Sequence, residues 1–304
     1  MDQLFNRIRN SVLAVPPLAR SQDFSLNEEE NRRLVNHLTS GGIRTLLYGG
    51  NANLYHVGPS EFSRILDFLS RSVPEDVWVI PSVGPAFGTM MDQADVLEDF
   101  NFDTVMILPS GFPLTQAGIE LGIRKFCEKS GLGVLLYLKQ DGYLHPERVA
   151  SLVDDGLVTA IKYAVVREDP SRDEYLTALI DRVDPRRIIS GIGEQPAIIH
   201  WREFGLGSFT SGCVCIAPAL SMEMLAALKA GDFERAETIR KHFKPLEDLR
   251  NAHGPIPVLH EAVRLAGVAD TGPMLPLMTN LAPQFWNPVQ KATRGVSASP
   301  APTK

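Results

Sequence analysis

The sequence is poor in cysteine. Among 304 residues only Cys127, Cys213 and Cys215 occur, an odd number and too few for a disulfide framework. A reducing compartment is therefore expected. No run of 18 apolar residues is present, which excludes a membrane-spanning helix. The opening stretch MDQLFNRIRNSVLAV lacks the apolar core of a secretory signal, so the expected location is the cytoplasm. There is no surplus of positive charge either. Thirty Lys and Arg stand against 36 Asp and Glu, a net charge of −6, which argues against nucleic acid or an anionic membrane as a partner. No Gly-x-Gly-x-x-Gly follows a strand and no Gly-x-x-x-x-Gly-Lys-Ser/Thr loop occurs, so the common nucleotide fingerprints are missing. The seven histidines, His56, His145, His200 and His260 among them, form no His-x-x-x-His pair. Cys213-x-Cys215, read as one face of a strand, has no second pair to complete a zinc site. The two are taken as buried structural thiols, and no metal is expected.

What is present is a repeat. Short apolar, β-branched runs lie at Ser11–Val15, Arg44–Tyr48, Val77–Pro81, Thr104–Leu108, Gly133–Leu138, Val158–Tyr163, Arg187–Ser190 and Gly207–Ser211. Most begin 25–33 residues apart, the length of one strand–helix–strand unit. Helical spacing fills the gaps. Glu28–Thr39 places Leu34, Val35 and Leu38 on one face, with Ser25 and Glu28 at capping-box spacing and Gly41 where a C-cap belongs. Ser60–Ser70 sets Phe62, Ile65, Leu66 and Leu69 at the same spacing, and Asp92–Phe100, Thr115–Ser130, Pro146–Asp154 and Ser171–Arg182 follow. In the last of these Ser171 and Glu174 again have capping-box spacing.

Eight strands alternating with helices predict an α/β protein, a (β/α)8 TIM barrel, over the open doubly wound sheet. The barrel is expected over residues 1–219. After Ala219 the strands stop, and helices at Met222–Ala230, Phe233–Arg250 and Pro257–Ala266 make a C-terminal helical region, residues 220–286. Residues 287–304, rich in Pro, Ser, Ala and Thr, are read as a poorly ordered tail.

In such a barrel the chemistry sits at the C-terminal ends of the strands. The sixth run ends Ile161-Lys162-Tyr163. A lysine closing an apolar strand either snorkels to the rim or is an amine whose desolvation frees its lone pair for attack on a carbonyl. The residues alone leave both open. Tyr137, ending the fifth run, is a core aromatic or a proton shuttle in the same mouth. The second run leads into Tyr48-Gly49-Gly50-Asn51-Ala52-Asn53. Its glycines allow close approach of a ligand and its amides and asparagines can hold a carboxylate, although a plain tight turn reads the same way. Ser190-Gly191-Ile192-Gly193 is a second loop of that kind. His56 either touches the ligand or stands at the surface.

In this order these residues resemble the dihydrodipicolinate synthase / N-acetylneuraminate lyase family of class I aldolases, from about Val12 to Leu281. The loop at Gly49-Gly50-Asn51-Ala52, the tyrosine Tyr137, the Ile161-Lys162 segment and the loop at Ser190-Gly191 match its motifs. So do Ala230-Gly231-Asp232-Phe233-Glu234 and Gly254-Pro255-Ile256-Pro257-Val258 in the helical part. The resemblance implies a lyase, aldolase or dehydratase, in which Lys162 forms a Schiff base with a 2-oxo acid such as pyruvate or a keto-deoxy sugar acid. It implies that Tyr137 relays protons and that Gly50, Asn51 and Ala52 hold the carboxylate. Gly191 and Thr210 would line the pocket. It also implies a homotetramer or homodimer that needs no metal or organic cofactor.

Three departures stand out. The hydroxyl residues of the carboxylate loop are replaced, and its following glutamate is missing. Pro109-Ser110-Gly111-Phe112-Pro113 carries none of the synthases' tyrosine pair. Leu138-Lys139-Gln140-Asp141-Gly142 lacks their arginine for a second carboxylate, which disfavours a true dihydrodipicolinate synthase. Dehydratases of keto-deoxy sugar acids lack that arginine too, and Lys139 is either a ligand for an acidic sugar or a solvated loop lysine. A reading of another class, a non-catalytic barrel that binds a small oxo acid, draws on Ala52 and the absent tyrosines. The joint presence of Lys162 and Tyr137 opposes it.

Overall fold

A computed structural model describes residues 2–111 and 113–297. After a first helix, α1 (Asp2–Asn10), nine strand segments follow: β1 (Leu13–Ala14), β2 (Thr45–Leu47), β3 (Trp78–Ile80), β4 (Ser82–Val83), β5 (Thr104–Ile107), β6 (Gly133–Leu138), β7 (Val158–Tyr163), β8 (Ile188–Ser190) and β9 (Ser208–Ser211). Every pairing between them is parallel, in the order β3-β2-β1-β9-β8-β7-β6-β5-β4. The expected TIM barrel is therefore present, with one difference. The third run is two segments, β3 and β4, broken at Pro81. Proline has no N–H to give a ladder, and the chain changes partner at that residue. Tyr48 N donates to Ile80 O at 3.0 Å, whereas Met106 N donates to Pro81 O at 2.8 Å. The ring thus runs on through the chain itself at Pro81, joining β2 to β5. At the other junction β1 lies between β2 and β9, Leu13 beside both Thr45 and Thr210.

Helices α2 (Glu28–Ser40), α3 (Pro59–Ser72), α4 (Phe87–Leu97), α5 (Gln116–Ser130), α6 (Pro146–Asp154), α7 (Glu174–Ile180), α8 (Glu194–Phe204) and α9 (Pro218–Ala230) each follow a barrel strand. Their apolar stripes, such as Leu34, Val35 and Leu38 on α2 or Phe62, Ile65, Leu66 and Leu69 on α3, are buried against the sheet. The capping differs from the expected boxes. Asn27, not Ser25, caps α2 by accepting from Glu30 N, because Ser25 Oγ is drawn off to Asp23 at 2.6 Å. Asp173, not Ser171, caps α7 by accepting from Leu176 N at 2.9 Å. In both places a nearer Asn or Asp takes the cap, and the serine hydroxyl donates to an aspartate two residues before it.

Beyond the barrel come α10 (Phe233–His253), α11 (Pro255–Leu265) and α12 (Trp286–Ser297). The last corrects the expected tail. Val289, Ala292, Thr293 and Val296 recur at helical spacing and are buried, a stripe that the Pro, Ser, Ala and Thr content of 287–304 taken as a whole conceals. Residues 298–304 of that expected tail lie outside the described residues. Cys213 and Cys215 stand not on a strand but in a 3-10 turn after β9, both fully buried with free thiols. Among the described residues no helix is long and apolar enough to cross a membrane.

Candidate active site

Lys162 and Tyr137 are register partners on neighbouring strands, each one residue before the C-terminal end of β7 and β6. Residues paired in parallel register project on the same side of a sheet, here into the barrel mouth. Alternation along β7 sends Tyr163 the other way, where its hydroxyl donates to Asp173 at 2.6 Å in the helix layer. The Lys162 amine sits 4.3 Å from the centroid of the Tyr137 ring, and the residue as a whole is 5 % exposed. Burial, then the charges of Lys139 and Arg250, lowers its pKa from 10.5 to about 7. About half of the amine is therefore neutral and nucleophilic near pH 7, against almost none for an ordinary lysine. Burial moves the Tyr137 phenol the other way, to about 12, so it keeps its proton and can donate it.

Both residues open into a cavity of ≈ 400 Å³ at the C-terminal rim, within the usual size range of small-molecule sites. Gly50, Asn51, Gly191 and Thr210 line it as expected from the sequence. Ala52 does not: it is fully buried behind the loop and absent from the cavity wall. The loop from Gly50 to Ala52 is a 3-10 turn, and the amides that open such a turn have no acceptor within it. The Asn51 side chain is already engaged, Nδ2 donating to Val15 O at 2.8 Å. That fixes the loop on β1 and leaves the backbone amides of Gly50 and Asn51 as the donors at the cavity.

Gly191 is required by close approach. A Cβ there would lie 2.8 Å from Tyr163 O and 2.9 Å from Lys162 Cγ. Gly191→Ala is expected to cost about 1–3 kcal/mol by overpacking, read as a lowered denaturant midpoint. Gly193, two residues on, has φ 104, and a side chain there would meet Glu247.

The structure adds residues to the site. Tyr55, half-buried in the turn after Asn53, is a second phenol on the cavity wall. Its neighbour His56 is half-buried and does not reach the cavity. Lys139 and Arg250 bring two further cations, and the start of α11 closes one side through Pro255, Ile256 and Leu259. His260 on α11 donates from Nε2 to Asn51 O at 2.7 Å. Burial lowers its pKa to about 4, so it serves as a neutral donor that clamps the loop. The signal for Arg250 was in the sequence. Ala236, Ile239, Phe243, Leu246, Glu247 and Arg250 form the buried stripe of α10, and an arginine continuing such a stripe faces inward. Among the described residues no group of three or more His, Cys, Asp or Glu could hold a metal ion.

The dihydrodipicolinate synthetase family model matches residues 10–292. The "probable 5-dehydro-4-deoxyglucarate dehydratase" of Rhizobium meliloti (strain 1021) is 24% identical over 92% of this chain and 93% of its own. The 4-hydroxy-tetrahydrodipicolinate synthase of Methanopyrus kandleri is 26% identical over 83% of this chain and 84% of its own. Among solved structures, the dihydrodipicolinate synthase of Oceanobacillus iheyensis superposes with a TM-score of 0.84 at 22% identity, covering 96% of this chain and 97% of that one.

Proposed function

Because the chain belongs to the dihydrodipicolinate synthetase family, we propose that it is a class I lyase that forms a Schiff base at Lys162 with a keto-deoxy sugar acid and eliminates water from it. One observation carries this reading: an amine with its pKa lowered to about 7 stands 4.3 Å from a phenol ring at the mouth of a barrel. The neutral amine adds to the C2 carbonyl of the 2-oxo acid. Tyr137 protonates the oxygen of the carbinolamine, which leaves as water to give an iminium. The backbone amides of Gly50 and Asn51 hold the adjacent carboxylate, and the Thr210 hydroxyl lines the pocket beside them. The iminium draws electrons from the neighbouring carbon, so the Tyr137 phenolate left by the carbinolamine step takes a C3 proton, an enamine forms, and the same proton is then delivered to the departing C4 hydroxyl. The enamine then expels the C4 hydroxyl as water, and hydrolysis frees Lys162.

A condensing synthase has less support, since the segment Leu138–Gly142 after Tyr137 carries no arginine. A non-catalytic binder has less still, since burying an amine is costly and simple binding does not need it. The dehydratase reading draws on the relatives of that activity, which match nearly the whole chain. Assembly as a homodimer or homotetramer is part of this reading. Phe87, Leu114 and Leu121, respectively 53%, 36% and 58% exposed, put large apolar side chains in solvent around α4 and α5.

The test is borohydride reduction in the presence of pyruvate and of keto-deoxy sugar acids, followed by peptide mass spectrometry. The expected result is a reduced adduct on Lys162. Absence of an adduct with every acid overturns the assignment.

A further inference from the structure

Val15 and Asn51 on the cavity wall belong to a hydrogen-bonded circuit that runs behind it. Asn51 Nδ2 donates to Val15 O at 2.8 Å, and Asn51 O accepts from His260 Nε2 at 2.7 Å. His260 O accepts in turn from Thr271 Oγ1 at 3.2 Å. Thr271 O accepts from Arg20 N at 3.0 Å, and Arg20 closes the circuit on the segment that begins at Val15. Three stretches far apart in sequence are thus tied together: the segment after β1, the loop after β2, and α11 with the chain that follows it. The segment after β1 is itself anchored at both ends. Val15 N donates to Ser211 O of β9 at 2.9 Å. The side chain of Asn31 on α2 accepts from Ala19 N and donates to Ala19 O, both at 2.8 Å.

His260 and Thr271 are buried, and neither is among the residues that line the cavity. Nδ1 of His260 is buried with no partner among the described residues, so the bond to Asn51 O alone fixes the tautomer, with the hydrogen on Nε2. Burial above all, with the charge of Arg20 adding to it, keeps the ring neutral. Gly212, just after β9, leaves the room for this approach: a Cβ there would lie 2.9 Å from Asn51 Nδ2 and 2.3 Å from Leu259 Cδ1 on α11. Held by its carbonyl from α11 and by its side chain from the segment after β1, Asn51 has one placement. Amides aimed in advance incur no ordering cost when an anion arrives.

We propose that His260 and Thr271 are positioning residues: through Asn51 O they hold the amides of Gly50 and Asn51 in the geometry that receives the substrate's carboxylate, without touching the substrate themselves. This rests on the Schiff-base reading, which gives those amides their role, and adds the residues that act through them.

The experiment measures borohydride trapping of pyruvate across a concentration series and across pH, in the wild type, His260→Leu, His260→Gln and Thr271→Val. His260→Leu removes the donor and is expected to raise the half-saturating concentration about 10-fold. His260→Gln, whose amide nitrogen can stand where Nε2 stood, is expected to restore most of that loss. Thr271→Val keeps the shape without the hydroxyl and is expected to raise the value about 3-fold. The pH midpoint of trapping stays that of the wild type throughout, because Lys162 on β7 lies outside the circuit. The double variant His260→Leu/Thr271→Val is expected to match His260→Leu alone, since Thr271 acts through His260. A role in stability alone would lower the melting temperatures and leave half-saturation at the wild-type value. That result overturns the proposal, as does a His260→Gln variant as weak as His260→Leu. Should His260→Leu not fold, Thr271→Val decides by the same measure. Calorimetric titration with propionate, a carboxylate with no carbonyl, separates this proposal from the Schiff base. If the wild type traps no 2-oxo acid, the Lys162 assignment fails. Propionate bound about 10-fold more weakly by His260→Leu then still supports the clamp. Propionate bound equally by both, or not bound by the wild type, overturns it.

Discussion

Lys162→Ala is expected to lose the borohydride adduct entirely and to lower kcat at least about 10³-fold, because the other lysine on the cavity wall, Lys139, stands exposed at the rim and lacks the burial that makes Lys162 a nucleophile. Adduct formation by the wild type should rise with pH through about 7, where the amine sheds its proton. Stability should respond as well. The amine titrates near 7 in the folded chain against an ordinary 10.5, so between those values the unfolded chain binds more protons. Stability attributable to this group therefore increases with pH across that window, and the penalty is full below it. Lys162→Met keeps the volume and removes the penalty. Its melting temperature is expected to exceed that of the wild type at pH 6, with the margin narrowing toward pH 10. A variant less stable than the wild type at pH 6 would show that the amine is not buried at a cost.

Tyr137→Phe is expected to lower kcat about 10²–10⁴-fold, the usual range for loss of a general acid–base group. The ring that packs beside Lys162 remains, so the fold should be kept and the adduct should still form, more slowly. The measurement is the time course of trapping set beside steady-state turnover. Unchanged kcat would move the proton relay to another phenol, and Tyr55 on the same wall would be the next to substitute.

The barrel was legible because its strands are short β-branched runs at near-regular spacing, and Lys162 and Tyr137 were legible because polar side chains at the ends of apolar strands are conspicuous. Pro81 in the third run was visible too, but a proline alone does not say that the chain exchanges one ladder partner for another there. Ala52 was placed in the site by analogy of position, and the 3-10 geometry of its loop turned it into the core. The sequence leaves the Asn51 side chain open as a ligand donor or a turn residue, and the carbonyl of Val15 claims it. Arg250 was missed for a different reason. An arginine at the end of a helix suits the helix dipole, and that plain role masks its place on the inward-facing stripe of α10. The helical stripe from Val289 to Val296 was hidden by a tail rich in small and polar residues.

The hydrogen bond from His260 to Asn51 joins a helix beyond the barrel to the loop after its second strand. Arg250, Pro255, Ile256 and Leu259 reach the cavity from the same pair of helices. Lys162 and Tyr137 therefore belong to the hydrogen-bonded ring, while one wall of their cavity is built by a separate pair of helices laid over its mouth. Exchanging that pair of helices between relatives would leave Lys162 and Tyr137 in place and rebuild the wall beside them. A barrel cut off after its last strand would keep Lys162 and Tyr137 but lose that wall of their cavity.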